Sequence, residues 1–206
     1  MKTAGCLIIL LVALIACSTP SAPEYNELPA FLNEVSRGWS FFSDTNYELS
    51  ATSFRKAIEL NSDGDRAEAH IGLGWSLAML DSLTKAISAF NTALARGPQT
   101  AEDSLLIYAG LSLAYRDITP PDFTAVRNYA LLALQIDSNF ALEYKRSINA
   151  DDLRAVLAEA YFNLEQYTEA AAIADPDSTL DPTGADYHQQ LLSKINVMLT
   201  ISREGE

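Results

Sequence analysis

Apolar residues recur at steps of three and four from Leu28 to the C-terminal region, which is the spacing of one face of an α-helix. Alternating runs of β-branched residues, which are typical of strands, are absent from the same region. Before Leu28 the pattern differs, because an uninterrupted apolar run from Ala4 to Ala16 is followed by a polar segment that contains prolines. The pattern predicts an all-α domain that follows a short N-terminal hydrophobic segment.

The N-terminal hydrophobic segment is too short to cross a membrane. As a helix, the run from Ala4 to Ala16 would span about 20 Å, whereas the hydrocarbon core of a bilayer is about 30 Å thick. It follows the single basic residue Lys2, and a polar segment comes after it. This arrangement is typical of a secretory signal peptide.

The end of this segment, Leu14-Ile15-Ala16-Cys17, resembles the lipobox of bacterial lipoproteins. In that family the cysteine receives a diacylglycerol, with acyl chains such as palmitate, and the leader is cleaved just before it. The resemblance implies a signal peptide over 1–16, a lipidated Cys17 and a flexible tether over 17–30. Ser18 is not the Asp that retains such proteins at the inner membrane of enteric bacteria, so the outer membrane is expected, with the protein facing the periplasm. The alternative is an ordinary signal peptide with a chance cysteine.

The dipeptides Gly38-Trp39 and Gly74-Trp75 contain the only two tryptophans of the chain. Residues 67–100 around the second dipeptide resemble the tetratricopeptide repeat, a pair of antiparallel helices that cross through small residues. The consensus positions of that repeat fall on His70, Leu73, Gly74, Leu77, Ala86, Phe90 and Pro98, with a further small residue at Ala93.

The same register recurs three more times, over 31–64, 105–140 and 151–184. The copy at 105–140 fits if its inter-helix turn is two residues longer than usual. In the first copy, Glu34 and Arg37 replace apolar residues, which suits a terminal repeat with water on one side. The resemblance implies a right-handed α-solenoid of about four tetratricopeptide helix pairs over 31–202, closed by a capping helix over 185–202.

Local signals predict where the C-terminal helices begin and end. Asn149 followed by Asp152 is a capping box, and Pro176 is expected to end the second helix of the fourth pair. Thr183 with Asp186 predicts the start of the last helix. Its expected apolar face contains Tyr187, Leu191, Leu192, Ile195, Met198 and Leu199.

In tetratricopeptide arrays the residue after the crossing glycine points toward the concave face. Residues on that side of each first helix lie three or four positions apart. They predict an apolar, aromatic groove for a partner segment, which the fourth repeat extends with Phe162 beside the acidic Asp152 and Glu159. The expected groove residues are Leu32, Val35, Trp39, Phe42, Ile71, Trp75, Met79, Leu106, Leu113 and Phe162.

Two interpretations of this groove remain open. Either a partner occupies it, or the chain covers it with its own tether, through Tyr25 and Leu28, or with its last helix. Exposed apolar patches above a few hundred Å² are rare on soluble monomers, so we expect some segment to cover the tryptophans.

Composition removes several other functions. The net charge is −13, which disfavours nucleic acid because nucleic-acid binding needs clustered Lys and Arg. The two histidines, His70 and His188, fall in different repeats, and phosphate-binding glycine loops and zinc spacings are absent. Residues 61–68 place oxygen ligands at alternate positions but have Arg66 where a calcium loop needs Gly. We therefore expect no enzyme activity, no cofactor and no metal.

The function that the sequence favours is a membrane-anchored protein–protein interaction scaffold of the bacterial cell envelope. The alternative is an envelope structural or carrier protein whose groove holds a lipid or another small apolar ligand. A polypeptide that copurifies with the protein would favour the first, and an apolar extract would favour the second.

Overall fold

The computed structural model describes residues 28–60 and 66–204. The signal peptide, Cys17 and residues 61–65 of the rejected calcium loop lie outside the described residues. The described chain forms nine α-helices: α1 Leu28–Ser43, α2 Tyr47–Leu60, α3 Glu68–Met79, α4 Leu83–Arg96, α5 Ala101–Asp117, α6 Phe123–Ile136, α7 Ala150–Asn163, α8 Tyr167–Ala174 and α9 Tyr187–Glu204. Helix α1 begins at Leu28, so the last residues assigned to the tether are helical.

The helices pack as successive antiparallel pairs, α1–α2, α3–α4, α5–α6 and α7–α8, with α9 against α7 and α8. The first helices of neighbouring pairs also contact each other, α1 with α3, α3 with α5 and α5 with α7. The α5–α6 turn has two residues more than the turns of the other three pairs. This architecture confirms the predicted all-α solenoid of helix pairs.

Phenylalanine rings pack against glycines of two successive first helices. A Cβ atom on Gly38 of α1 would lie 2.7 Å from the Phe54 ring, and one on Gly72 of α3 would lie 2.2 Å from the same ring. Phe90 repeats the arrangement between Gly74 and Gly110, at 2.6 and 2.3 Å. Real Cβ atoms essentially never make contacts this short, so each ring requires the absence of a side chain on both helices.

Buried serines join the first two pairs beside these rings. The Ser50 hydroxyl donates to the Gly38 carbonyl oxygen at 2.9 Å and lies 2.8 Å from the Ser76 hydroxyl. Ser76 donates to the Gly72 carbonyl oxygen at 2.7 Å. Each buried hydroxyl therefore has a partner, which removes the cost of burying it.

The expectation that Glu34 faces water is wrong. Its side chain is 5% exposed and forms ion pairs with Lys56 of α2, at 2.6 Å, and with Arg37, at 2.9 Å. Burial of the carboxylate is possible because two cations compensate it. Arg37 and Lys56 keep about half of their own side chains exposed.

The start of α7 and the end of α8 agree with the local signals. Asn149 and Asp152 form the predicted capping box at the start of α7. Helix α8 ends at Ala174, before Pro176. The buried Asp175 then accepts hydrogen bonds from Thr179 and from the Leu180 amide, and it pairs with Lys194 of α9. These interactions, led by the Thr179 hydroxyl, hold the pKa of Asp175 well below its usual range.

Two expectations for the last helix are wrong. The Thr183 hydroxyl bonds to Asp181 instead of capping a helix, and α9 begins at Tyr187. Leu191 and Ile195 are buried, whereas Leu192 is 37% exposed. The inward face of α9 is therefore narrower than the expected set.

We expect Gly72→Ala to destabilise the fold by about 1–3 kcal/mol, the usual cost of overpacking a core. At an exposed helical site the same change would stabilise by up to about 1 kcal/mol. The measurement is urea unfolding of the full chain followed by ellipticity. In a Phe54→Leu background the cost of Gly72→Ala should shrink, because the smaller side chain leaves room for the methyl group. Strictly additive effects of the two substitutions would contradict the packing described above.

Candidate partner-binding groove

The first helices α1, α3, α5 and α7 form one face of the solenoid, which we call the groove. Residues 137–149, between α6 and α7, lie in it, and we call them the groove loop. The loop folds back on itself through hydrogen bonds from the Leu142 amide to the Ile148 carbonyl oxygen, at 2.8 Å, and from the Ala150 amide to the Phe140 carbonyl oxygen, at 2.7 Å. The groove loop therefore has an ordered backbone, held by its own hydrogen bonds.

Alternate side chains of the groove loop enter the core. Phe140, Leu142 and Ile148 are buried in the same cluster as both tryptophans, whereas Ala141 and Glu143 are exposed. Residues 140–143 alternate as in an extended segment with one buried face. Turns with hydrogen bonds from the Lys145 amide to the Leu142 carbonyl oxygen and from the Ile148 amide to the Lys145 carbonyl oxygen then lead to Ile148. Phe140, Leu142 and Ile148 pack against the groove side of the first helices, so the loop and that side of the helices are both shielded from water.

Tyr144 places its ring on Trp39 of the first helix pair. The two ring centroids are 4.3 Å apart and the ring planes differ by 11°, so the rings are stacked. Trp39 also meets Phe42 and Phe54 edge-on, at 5.5 and 5.2 Å. The chain thus covers Trp39 with its own groove loop, a segment not expected from sequence. Tyr25 of the tether, one of the two expected covers, lies outside the described residues.

Cavities remain beside the loop, and two of them are lined mainly by the first helices. The N-terminal cavity has a volume of about 520 Å³ and is lined by Leu32, Val35, Ser36, Trp39, Ser40, Ser43, Glu68, Ile71, Glu102, Asp103, Leu106 and Tyr144. The C-terminal cavity has a volume of about 420 Å³ and is lined by Trp75, Ala78, Met79, Leu83, Leu113, Ala114, Arg116, Asp117, Ser147, Ile148, Asp152, Val156 and Leu199.

Eight of the ten groove residues expected from sequence line a cavity. Leu32, Val35, Trp39, Ile71 and Leu106 line the N-terminal cavity, and Trp75, Met79 and Leu113 line the C-terminal one. Phe42 is buried against Trp39 and Tyr47, and Phe162 packs edge-on against Tyr167. These two phenylalanines belong to the interiors of the first and fourth pairs.

The cavity-lining residues differ in their exposure to solvent. Leu32 is 48% exposed, whereas Trp39 is 8% exposed and Ile71 and Trp75 are almost fully buried. The indole N–H of Trp75 has no hydrogen-bond partner among the described residues. The residues that a partner could contact directly are therefore the exposed Leu32 and the half-buried Val35, Leu106, Met79 and Leu113.

The charges are distributed differently from the expected acidic fourth repeat. Asp152 is 8% exposed and accepts a hydrogen bond from the Asn149 amide at 2.6 Å. Glu159 pairs with Arg116 of α5 at 2.8 Å. Burial lowers the pKa of the Arg116 guanidinium, but its hydrogen bonds to Glu159 and Asp117 outweigh burial, so the pKa is raised. At the other end of the groove, Glu68, Glu102 and Asp103 line the N-terminal cavity, and Glu102 is exposed.

Sequence reasoning missed the groove loop, although a signal was present. Phe140, Leu142, Tyr144 and Ile148 all lie at even positions, and such alternation is typical of a half-buried extended segment. Apart from Phe140, at the end of the third repeat, the stretch lies between the third and fourth repeats, where it matches no repeat position.

The described residues include a perturbed titratable group, but neither a candidate metal site nor a membrane-spanning helix. No group of three or more His, Asp or Glu side chains in 28–60 and 66–201 could hold a metal ion. His70 is half-buried, and burial, followed by the nearby Arg96, lowers the pKa of its imidazole. In the described part of the chain, the helices fall short of the length and hydrophobicity needed to cross a bilayer.

Comparison with known proteins finds a family model that matches part of the chain. Residues 35–101 match the family model described as tetratricopeptide repeat. The crystal structure of a thermophilic tetratricopeptide-repeat protein of Thermus thermophilus is similar over 81% of this chain and 99% of that chain, with 17% identity and a TM-score of 0.43. The search against curated proteins returned no match. The tetratricopeptide fold indicates a protein–protein interaction scaffold.

We expect Tyr144→Ala to expose Trp39 and to destabilise the fold by about 1 kcal/mol through the lost ring stacking. The measurement is tryptophan emission with acrylamide quenching in a Trp75→Phe background, where Trp39 is the only emitter. The emission should shift to the red and become easier to quench. Tyr144→Phe is the matched control, because it keeps the stacked ring. Equal spectra for the Ala and Phe variants would contradict the stacking geometry.

Proposed function

We propose that this chain, whose residues 35–101 match the tetratricopeptide-repeat family model, is a membrane-anchored interaction scaffold of the bacterial cell envelope. The observation that carries the proposal is the N-terminal cavity, an apolar site in the groove that remains accessible although the groove loop lies beside it. A segment of a partner protein occupies this cavity. The scaffold positions that partner and carries out no chemistry on it.

The cavity has the features of a binding hot spot. Leu32 is exposed at its edge, while Trp39 and Tyr144 are already held against each other. Binding energy at interfaces concentrates in apolar and aromatic anchors of this kind. Rings that are fixed before the partner arrives lose little conformational entropy on binding. The groove loop therefore contributes to the site as one of its walls.

The anchor is proposed from the sequence at Cys17, which resembles a lipobox cysteine. Acylation by two or more chains gives stable membrane attachment, whereas one chain gives only marginal binding. Between Cys17 and Leu28 the chain has 11 steps, which reach about 40 Å at most when fully extended. A lipid on Cys17 would thus keep α1 and the N-terminal cavity close to the membrane surface, which we propose to be the periplasmic face of the outer membrane.

The C-terminal cavity favours a second candidate, a carrier of a small apolar ligand. Its volume of about 420 Å³ lies within the range of small-molecule sites, and apolar lining with a few polar groups is usual there. Trp75 and Met79 supply apolar lining, and Arg116 supplies a cationic group at the same cavity. Mass spectrometry of an organic extract of the purified protein distinguishes this candidate from the scaffold, since a bound lipid would appear in the extract.

Leu32→Gln should weaken partner binding by about tenfold, because it removes an apolar contact worth roughly 1.5–3 kcal/mol when fully buried. The measurement is crosslinking of the full chain in envelope preparations from the producing cells, with the crosslinked partner quantified for each variant. Leu49→Gln is the matched control, because Leu49 of α2 is 45% exposed, close to the 48% of Leu32, and lies outside both cavities. Equal loss in the two variants, or loss in neither, would count against the N-terminal cavity as the binding site.

Cys17→Ala should release the protein from membranes, because the variant has no thiol to carry lipid. The measurement is fractionation of producing cells into soluble and membrane material, with the two forms compared by immunoblot. A variant that still sediments with the outer membrane would show that attachment does not depend on Cys17. Cys6→Ala is the control, since Cys6 lies within the expected leader.

A further inference from the structure

We infer that the segment received by the N-terminal cavity is cationic, a stretch of polypeptide in which Lys or Arg stands next to an apolar side chain. The inference rests on the proposed function and names the chemistry of the partner at the same site. It is carried by the charge and the apolar lining that this one cavity combines.

The apolar part of the cavity fits the apolar part of such a segment. Leu32, Ile71 and Leu106 line it together with the stacked rings of Trp39 and Tyr144. Lys and Arg side chains bury their long aliphatic stems along apolar surface and keep the charged end at the edge. Aromatic rings add a favourable interaction with a cation placed over their faces.

The charged residues that line the cavity are all acidic among the described residues: Glu68, Glu102 and Asp103. Asp103 accepts from the Thr100 amide in the capping box of α5, and Glu68 lies 3.3 Å from Arg66. Glu102 is exposed and forms no ion pair with a described residue. Glu102 is therefore the carboxylate that is available to a cation from outside.

The carboxylates beside the cavity also act on the Tyr144 ring. Burial raises the pKa of the Tyr144 phenol, and Glu143 and Glu102 raise it further, so these two carboxylates act on the ring that stacks on Trp39. An anionic segment would meet the same carboxylates as like charges and would be repelled. The net charge of −13 attracts cationic partners over longer distances and speeds their association.

The experiment is selection of a random dodecapeptide library, displayed on phage, on the immobilised full chain in detergent. Selection on the Leu32→Gln variant removes peptides that bind elsewhere. Peptides that depend on Leu32 should be enriched in Lys or Arg next to Leu, Ile or Phe. Enrichment of acidic or uncharged peptides would overturn the cationic inference and leave the proposed function intact. If no peptide depends on Leu32, the inference is overturned as well, and the crosslinking of the natural partner decides the proposed function separately.

One enriched peptide is then synthesised and titrated against the charge variants. Glu102→Gln should weaken its binding by at least about threefold at low salt, as expected for loss of one partly exposed ion pair, and less at high salt because salt screens such pairs. Glu48→Gln is the matched control, since Glu48 also lies in a first helical turn, that of α2, and outside both cavities. An equal effect of the two variants would show that only net charge matters and would overturn the assignment to this cavity.

Discussion

The solenoid depends on a phenylalanine ring that lies between two glycine backbones. Phe54 and Phe90 each contact a glycine of their own helix pair and a glycine of the next pair, so one side chain sets the spacing of three helices. At the corresponding position of the third pair stands Ala130, and the two paired positions carry Ser112 and Val156 in place of glycines. The ring between two glycines is therefore confined to the first three pairs, and Ser112, Ala130 and Val156 are buried at the equivalent positions.

The groove loop divides the concave face of this array, with the N-terminal cavity on one side and the C-terminal cavity on the other. Its apolar side chains fill the middle of the groove, and the remaining space lies beside α1 on one side and beside α7 and α9 on the other. The two ends differ chemically, because the charged residues that line the N-terminal cavity, Glu68, Glu102 and Asp103, are all acidic, whereas the C-terminal cavity combines Arg116 with Asp117 and Asp152. A single irregular segment therefore shapes both sites, while the helices supply their charged residues.

Sequence predicted the features that short-range patterns encode. Gly74 and Phe90 predicted the helix crossing, Asn149 the start of α7 and Pro176 the end of α8. These features were predictable because helix periodicity and capping depend on residues a few positions apart. The groove loop and the burial of Glu34 were missed. Both depend on partners far along the chain, Trp39 for Tyr144 and Lys56 for Glu34. Of the candidate site, the apolar lining was therefore predictable, whereas its cover and its charge were not.

The stacking of Tyr144 on Trp39 has a consequence for how the chain unfolds. In a repeat array whose units contact only their neighbours, stability is a sum of local terms, and terminal repeats open independently of the others. Here a loop after the third helix pair is packed onto the first, which adds a contact between units that are not adjacent. Opening of the first pair must break this contact, so the cooperativity of the array extends across three repeats, and the N-terminal end, where such a chain would otherwise fray first, shares the stability of the centre.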